Sequence, residues 1–365
     1  MKLVIFGLTI SSSWGNGHAT LWRGLVRALA RRGWRVVFFE RDLPYYAGAR
    51  DLQEIEDGEL VLYSDWNDVL SAASNHLADA DVALVSSYCP DGIPAAELVL
   101  STGHATRVFY DLDTPVTLSR IERGEKTSYI GSRGLRDFDL VFSYTGGQAL
   151  QALRERLGAK CVAPLYGHVD PAVHRPTAPK PQYECDLSYI GTYAEDRQGS
   201  VTEFLVEPAR QRPNQRFVIA GAQYPPDFPW RDNIYFVRHL PPSEHPAFYS
   251  SSRLTLNVTR RAMAEMGWCP SGRLFEAAAC GIPILSDWWE GLDAFFEPDR
   301  QILLAGSSED ATAALDRDDA ELARIGEAAR ERVLSAHTSD HRAAEFETLL
   351  SELHTHAVGP AAMRA

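Results

Sequence analysis

Pro270-Ser271-Gly272 opens a stretch of helical character that carries Glu276 and stops at Gly281-Ile282-Pro283. Small residues at a helix start leave backbone amides free for an anion or for sugar hydroxyls. Glu276, on the next turn, is placed to accept both hydroxyls of a ribose. Ser271, Gly272, Arg273 and Glu276 are therefore candidate ligand contacts. Arg260, Arg261 and Arg273 put positive charge into a chain whose 36 cations and 49 anions give a formal net charge of −13. That asymmetry favours an anionic ligand. The bland alternative is a capped, Ala-rich packing helix with an exposed Glu. Trp288, Trp289 and Phe295 read as core or wall rather than as a stacking platform.

Other chemistry-bearing strings also follow apolar runs. Gly191-Thr192-Tyr193 permits a tight turn, and Arg197 behind it suits a diphosphate; pairing with Glu195 or Asp196 on a surface helix is the alternative. Gly221 ends another run. In the first half, Ser11 to His18 holds small residues with Asn16 and Gly17, fit for close backbone approach to a ligand at a helix N-terminus. The spacing matches neither GxGxxG nor a Walker loop. Asp111 and Asp113 sit at alternate positions of a strand end, as a base, a hydroxyl-binding pair or metal ligands; no third ligand is in view. Asp113 before Thr114-Pro115 is equally a helix cap. Gly146 ends the next run in a similar turn.

These loops need elements to position them. Lys2–Phe6, Arg35–Phe39, Val82–Ser86, Arg107–Tyr110 and Leu140–Ser143 are short apolar runs, and Ala19–Arg32 between the first two has helical spacing. Near-continuous apolar strands separated by helices indicate a parallel sheet covered on both faces. The same alternation restarts at Leu187–Ile190 and runs through Arg216–Ala220, Ile234–Val237, Leu254–Val258 and Ile282–Ser286. The expected class is α/β: two Rossmann-like parallel-sheet domains facing a central cleft. Expected boundaries are 1–165, a Pro-rich linker over 166–181, 182–353 with a final helical stretch Asp319–Leu353, and a tail over 354–365. Ligands of such sheets bind beyond the carboxyl ends of the strands.

The chain of 365 residues is 45% apolar and 23% charged, an ordinary globular composition that excludes disorder. Its acidity makes duplex nucleic acid a poor partner. Five cysteines without CxxC spacing exclude a disulfide framework and a four-Cys zinc site. No run of about 18 apolar residues spans a membrane, and the opening segment reads as a strand, not a signal peptide. A cytoplasmic protein is expected, and a homodimer is compatible with this composition.

The string RLFEAAACGIP resembles the "E-A-x-A-C-G-x-P" element of GT-B glycosyltransferases. Over nearly the whole chain GNGHATLWRGLVRAL, FYDLDTPVTL, LYGHVDPAVHRP, YIGTYAEDRQ, IAGAQYP, PSGRLFEAAACG and SDWWEGLDAFF resemble the CgeB-like group, named for a spore-maturation protein. The resemblance implies a nucleotide-diphosphate sugar, usually a uridine one, held by the C-terminal domain, with the acceptor on the N-terminal domain. Glu276 then matches the ribose-contacting Glu, Ser271 and Gly272 the loop beneath the sugar and diphosphate, and Arg197 a phosphate-reaching cation. Gly191, Tyr193, Gly221, Arg260 and Arg273 complete the expected donor side; Asn16, Gly17, Asp111 and Gly146 form the acceptor side. Many retaining members carry a Glu eight residues before the ribose Glu, where this chain has Trp268.

The leaving group would be a nucleoside diphosphate, stabilised by Arg197, Arg273 and helix-terminal amides with no metal and no cofactor. Inversion requires a base, for which Asp113 and His18 are candidates; retention, to which the resemblance inclines, lets the donor phosphate take the proton. A UDP-sugar 2-epimerase and a non-catalytic polysaccharide- or coat-binding protein share the expected architecture.

Overall fold

Strands buried on both faces carry apolar residues continuously instead of alternating them, and β1 (Lys2–Gly7) is buried at every position after Lys2. The computed structural model describes residues 1–358. With β2 (Arg35–Arg41), β3 (Gly58–Tyr63), β4 (Val82–Ser86), β5 (Thr106–Asp111), β6 (Leu140–Ser143) and β7 (Val162–Pro164), it forms a parallel sheet in the order β3-β2-β1-β4-β5-β6-β7. The second sheet runs β10 (Ile234–Arg238), β9 (Phe217–Gly221), β8 (Cys185–Ile190), β11 (Ser252–Asn257), β12 (Ile284–Ser286), β13 (Leu303–Leu304), again parallel. Each order reverses direction once, between β1 and β4 and between β8 and β11. Those are the topological switch points where open α/β sheets bind ligands.

The described chain divides into two compact units: Met1–Ser12 with His18–Tyr166 and the segment from Ser339, and Ser13–Gly17 with Gly167–Thr338. This differs from the expected boundaries at the C-terminal end. The helical stretch Asp319–Leu353 is two helices, Asp319–Ala336 and Ser339–Val358, interrupted at His337-Thr338. The break is fixed by tertiary pairing: Val169 donates its N–H to the His337 carbonyl at 3.1 Å and bridges to Thr338. Ser339–Val358 then joins the first unit. Ala343, Phe346 and Leu350 enter its core, Phe346 lies 5.8 Å from Trp34 and 5.5 Å from Phe142 between ring centroids, and the Trp34 indole donates to Glu347 at 2.7 Å. The tail expected from 354 begins inside this helix; residues 359–365 lie outside those described.

The segment 166–181 belongs almost wholly to the second unit. His168, Val169, Asp170 and His174 are buried in it, and the Asp170 carbonyl accepts from the Val173 and His174 amides. It is a packed strap, where the proline density had suggested a bare stiff connector. None of the five cysteines is in a disulfide, and no helix among the described residues is long and apolar enough to cross a membrane.

Phe346 is fully buried, so Phe346→Ala should cost about 3–5 kcal/mol in urea unfolding. A loss below about 1 kcal/mol would mean that the last helix does not complete the first core.

Candidate functional site

The carboxyl edge of the second sheet is organised by Arg273. Its helix, Gly272–Ala279, is capped by Ser271, whose hydroxyl accepts from the Arg273 amide. From the first turn the guanidinium spans the switch point: Nε donates to the Ile190 carbonyl ending β8 at 2.5 Å, and Nη1 to Asn257 Oδ1 ending β11 at 2.8 Å. It also lies 5.2 Å from the Tyr189 ring centroid, within cation–π range. Asn257 is fully buried and donates in turn to Ser286 Oγ at 2.9 Å. Neither strand-end glycine has room for a side chain: a Cβ on Gly221 would meet the Gly191 carbonyl at 2.0 Å, and one on Gly191 the Tyr189 hydroxyl at 2.8 Å.

Three residues after Arg273, Glu276 projects from the same helix between two imidazoles. His174 Nε2 lies 4.0 Å from one carboxylate oxygen and His245 Nδ1 3.6 Å from the other. Burial opposes ionisation of Glu276, but His174, His245 and Arg273 outweigh it and hold the carboxyl at about 2. Burial pushes His174 down to about 4 against the pull of Glu276. At neutral pH an ionised carboxylate therefore sits beside a neutral imidazole. Among the described residues this is the one His/Cys/Asp/Glu group with metal-ligand spacing. The sequence reading placed Glu276 but neither histidine. His174 lies in the strap and His245 heads a short helix, and no local spacing connects them to Glu276.

The other expected donor-side residues have mixed partners. The Arg197 guanidinium donates to the Thr192 carbonyl and curls the loop after β8; Asp196 instead pairs with Arg260 at 3.1 Å. The Tyr193 amide donates to Ala222 at 2.9 Å and its ring packs on Tyr224. Trp268 adopts a positive φ of 49° and its amide donates to the Glu290 carbonyl at 2.6 Å. Its ring covers Gly291, where a Cβ would lie 2.5 Å away. Trp289 and Phe295 are core, while Trp288 is exposed.

The first unit carries its own cluster at the carboxyl edge. Glu40, fully buried at the end of β2, accepts from Thr9 Oγ1, the Ile10 and Ser11 amides and Ser11 Oγ at 2.6–2.9 Å. This shapes the start of the loop after β1. Asp113 Oδ2 accepts from the Tyr88 hydroxyl at 2.9 Å and lies 4.0 Å from His18 Nε2. Burial lowers the His18 pKa against the pull of Asp113, and burial with Asp113 raises that of Tyr88. Tyr88 has φ of 64°, a strained conformation for a non-glycine, and nothing in its sequence marks it. Asp113 precedes the helix Thr114–Glu122 without a side-chain capping bond, so the cap reading fails here.

Asp111 differs from its expected role beside an acceptor. It is fully buried, accepts from the Asp113 amide at 3.2 Å and Thr117 Oγ1 at 3.0 Å, and builds the turn. Gly15 and Gly147, at φ of 65° and 54°, hold the left-handed conformations next to Gly17 and Gly146. A Cβ on Gly17 would meet nothing within 4 Å. Asn16 turns back locally, donating to the Trp14 carbonyl at 3.1 Å.

Two parallel Rossmann-like sheets, of seven and six strands, are the architecture of GT-B glycosyltransferases. A sequence-family model described as "Glycosyl transferase-like" matches residues 197–348. Among solved structures, a sucrose-phosphate synthase from Thermosynechococcus elongatus is similar at 16% identity and TM-score 0.70, covering 97% of this chain and 99% of that one. Anabaena HepE, in complex with UDP and glucose, is similar at 13% identity and TM-score 0.65, covering 96% and 100%. An alpha-glucosyltransferase in complex with UDP-glucose and DNA containing an abasic site gives 14% and 0.69, covering 96% and 99%. Comparison with curated protein sequences gives no match.

Burial first, opposed by its hydrogen bonds, raises the Asp111 carboxyl from 3.8 to about 6. The fold thus retains a proton that the unfolded chain has lost, and stability falls as pH rises from about 4 to about 6. Relative to Asp111→Asn, the wild type should lose about 3 kcal/mol across that window. A difference between the two that stays constant with pH in urea unfolding would contradict the buried, desolvated placement.

Proposed function

We propose that this chain is a cytoplasmic glycosyltransferase that takes a hexosyl or N-acetylhexosaminyl group from a UDP-sugar held by the second unit and delivers it to a hydroxyl bound at the first. The observation that carries the reading is the Ser271–Glu276 segment: a capped helix start, a guanidinium fixed at the switch point, and an ionised carboxylate three residues on. Arg273 Nη2 makes no hydrogen bond among the described residues, which leaves donors for a diphosphate oxygen. The glycosyl transferase-like match over residues 197–348 contains this segment, and similar folds are solved with UDP and UDP-glucose. The CgeB-like strings support the same assignment at the finer level.

In the reaction the bond from the anomeric carbon to the diphosphate oxygen breaks, and a bond to the acceptor oxygen forms. The electron pair stays on the diphosphate, where Arg273, Arg197, Arg260 and the Gly272 amide offset the growing charge without a metal. Tyr193, Gly191 and Gly221 shape the floor, and Glu276 accepts the ribose hydroxyls. Asp113, oriented by Tyr88 and beside His18, holds the acceptor hydroxyl. In an inverting course it takes that proton; in the retaining course favoured by resemblance the donor phosphate takes it. Gly146 belongs to the acceptor side. The formal charge of −13 argues against a duplex nucleic acid as acceptor.

Glu276→Ala should weaken UDP binding by more than about tenfold, or about 1.4 kcal/mol, in calorimetry; unchanged affinity would remove the ribose assignment. Asp113→Asn should abolish transfer while leaving UDP affinity intact, and normal turnover would return Asp113 to a structural role. Donor turnover separates the rivals: slow release of sugar marks a transferase, an isomeric nucleotide sugar an epimerase, and inert donor a binding protein. The product anomer, read by NMR, distinguishes retention from inversion.

A further inference from the structure

His245 Nε2 lies 3.3 Å from the Leu240 carbonyl. A carbonyl only accepts, so Nε2 carries a hydrogen, and an Nδ1 that carries none presents a lone pair. That lone pair faces a Glu276 carboxylate oxygen at 3.6 Å, also an acceptor, and Nδ1 is buried without a hydrogen-bond partner. Two acceptors held face to face need a cation between them, either a proton or a metal ion. His174 separates the two. Its side chain is 4% exposed, neither of its ring nitrogens has a hydrogen-bond partner, and Nε2 points at the other Glu276 oxygen from 4.0 Å. A proton shared by His245 and Glu276 does nothing for His174, whereas a metal ion takes one ligand atom from each of the three groups.

We propose that His174, His245 and Glu276 form a binding site for one zinc-class divalent cation. The three ligand atoms lie within 4.8 Å of one another; two ligands on a tetrahedral ion with bonds of about 2.0–2.1 Å stand about 3.3 Å apart, a small closure for side chains. Two imidazoles and one carboxylate suit zinc and its neighbours, and not magnesium or calcium, which prefer all-oxygen sets. The Nε2–H bond to a backbone carbonyl is the outer contact that fixes tautomer and ring orientation in metal-binding histidines. Three protein ligands leave a fourth position for water or another ligand. A carboxylate offers about four acceptor positions, so an ion on the imidazole side leaves others for hydroxyl donors. The cation would anchor Glu276, and the leaving-group chemistry would stay with the arginines and amides.

The test uses full-length protein stripped with chelator, then titrated with zinc chloride by calorimetry and with cobalt chloride by visible absorption. One equivalent should bind, with the intense absorption of tetrahedral cobalt. His174→Phe, which keeps a ring and removes both nitrogens, and His245→Ala should each weaken binding by at least about tenfold. Circular dichroism checks that each variant is folded, and the two substitutions perturb different segments. No saturable binding to the wild type, or binding that survives both substitutions, overturns the site. This inference stands apart from the transfer reading: metal binding needs no nucleotide, and UDP affinity is measured without added metal.

Discussion

The second unit depends on one guanidinium. Strands of a parallel sheet end in carbonyls that no neighbouring strand satisfies, and the switch point between β8 and β11 leaves two such ends side by side. Arg273 closes that gap by bonding the Ile190 carbonyl on one strand and the side-chain oxygen of Asn257 on the other. Its planar fork reaches both at once, which a lysine ammonium on a flexible stem cannot reproduce. The backbone also comes close here, as the clash a Cβ on Gly221 would suffer with the Gly191 carbonyl shows. Because positions three apart share a helix face, fixing Arg273 also fixes the direction of Glu276. Helix start, charge and carboxylate are thus set by a single anchor.

Much of this was legible in the sequence, for a physical reason. Ser271, Gly272, Arg273 and Glu276 lie within six consecutive residues, and local rules for capping and helical spacing govern what such a segment can do. The sheets were legible likewise, since strands buried on both faces leave unbroken apolar runs. β3 and β7 are less plain: β3 carries the apolar run Leu60–Tyr63 but is mostly half-buried, and β7 has three residues. The histidines around Glu276 were not legible at all. His174 sits in a strap read from its prolines as a connector, and only tertiary packing brings it to the carboxylate.

The last helices show the opposite error, in which a local signal was read too far. Asp319–Leu353 has helical spacing throughout, so it reads as one element. What interrupts it is the remote Val169, whose amide and bridge hold His337 and Thr338 out of the helix. The Thr338-Ser339-Asp340 string is itself a helix-start signal, and its weight is clear once the second helix is seen buried in the first core. The unit division follows this interruption and not the end of the helical pattern.

In the first unit two carboxylates two residues apart acquire different chemistry from their surroundings. Asp111 ends β5 facing inward, where burial raises its pKa and its bonds go to Asp113 and Thr117. Asp113 lies beyond the strand and meets Tyr88 and His18. Sequence alone treats the pair as equivalent, because alternation on a strand end predicts a shared face. The chain instead turns after Asp111, and the amide of Asp113 bonds back to the Asp111 carboxylate. That bond makes the buried residue the support and leaves the outer one as the candidate to meet an acceptor. The strained Tyr88 backbone fits the same division, since it delivers a phenol to Asp113 and none to Asp111.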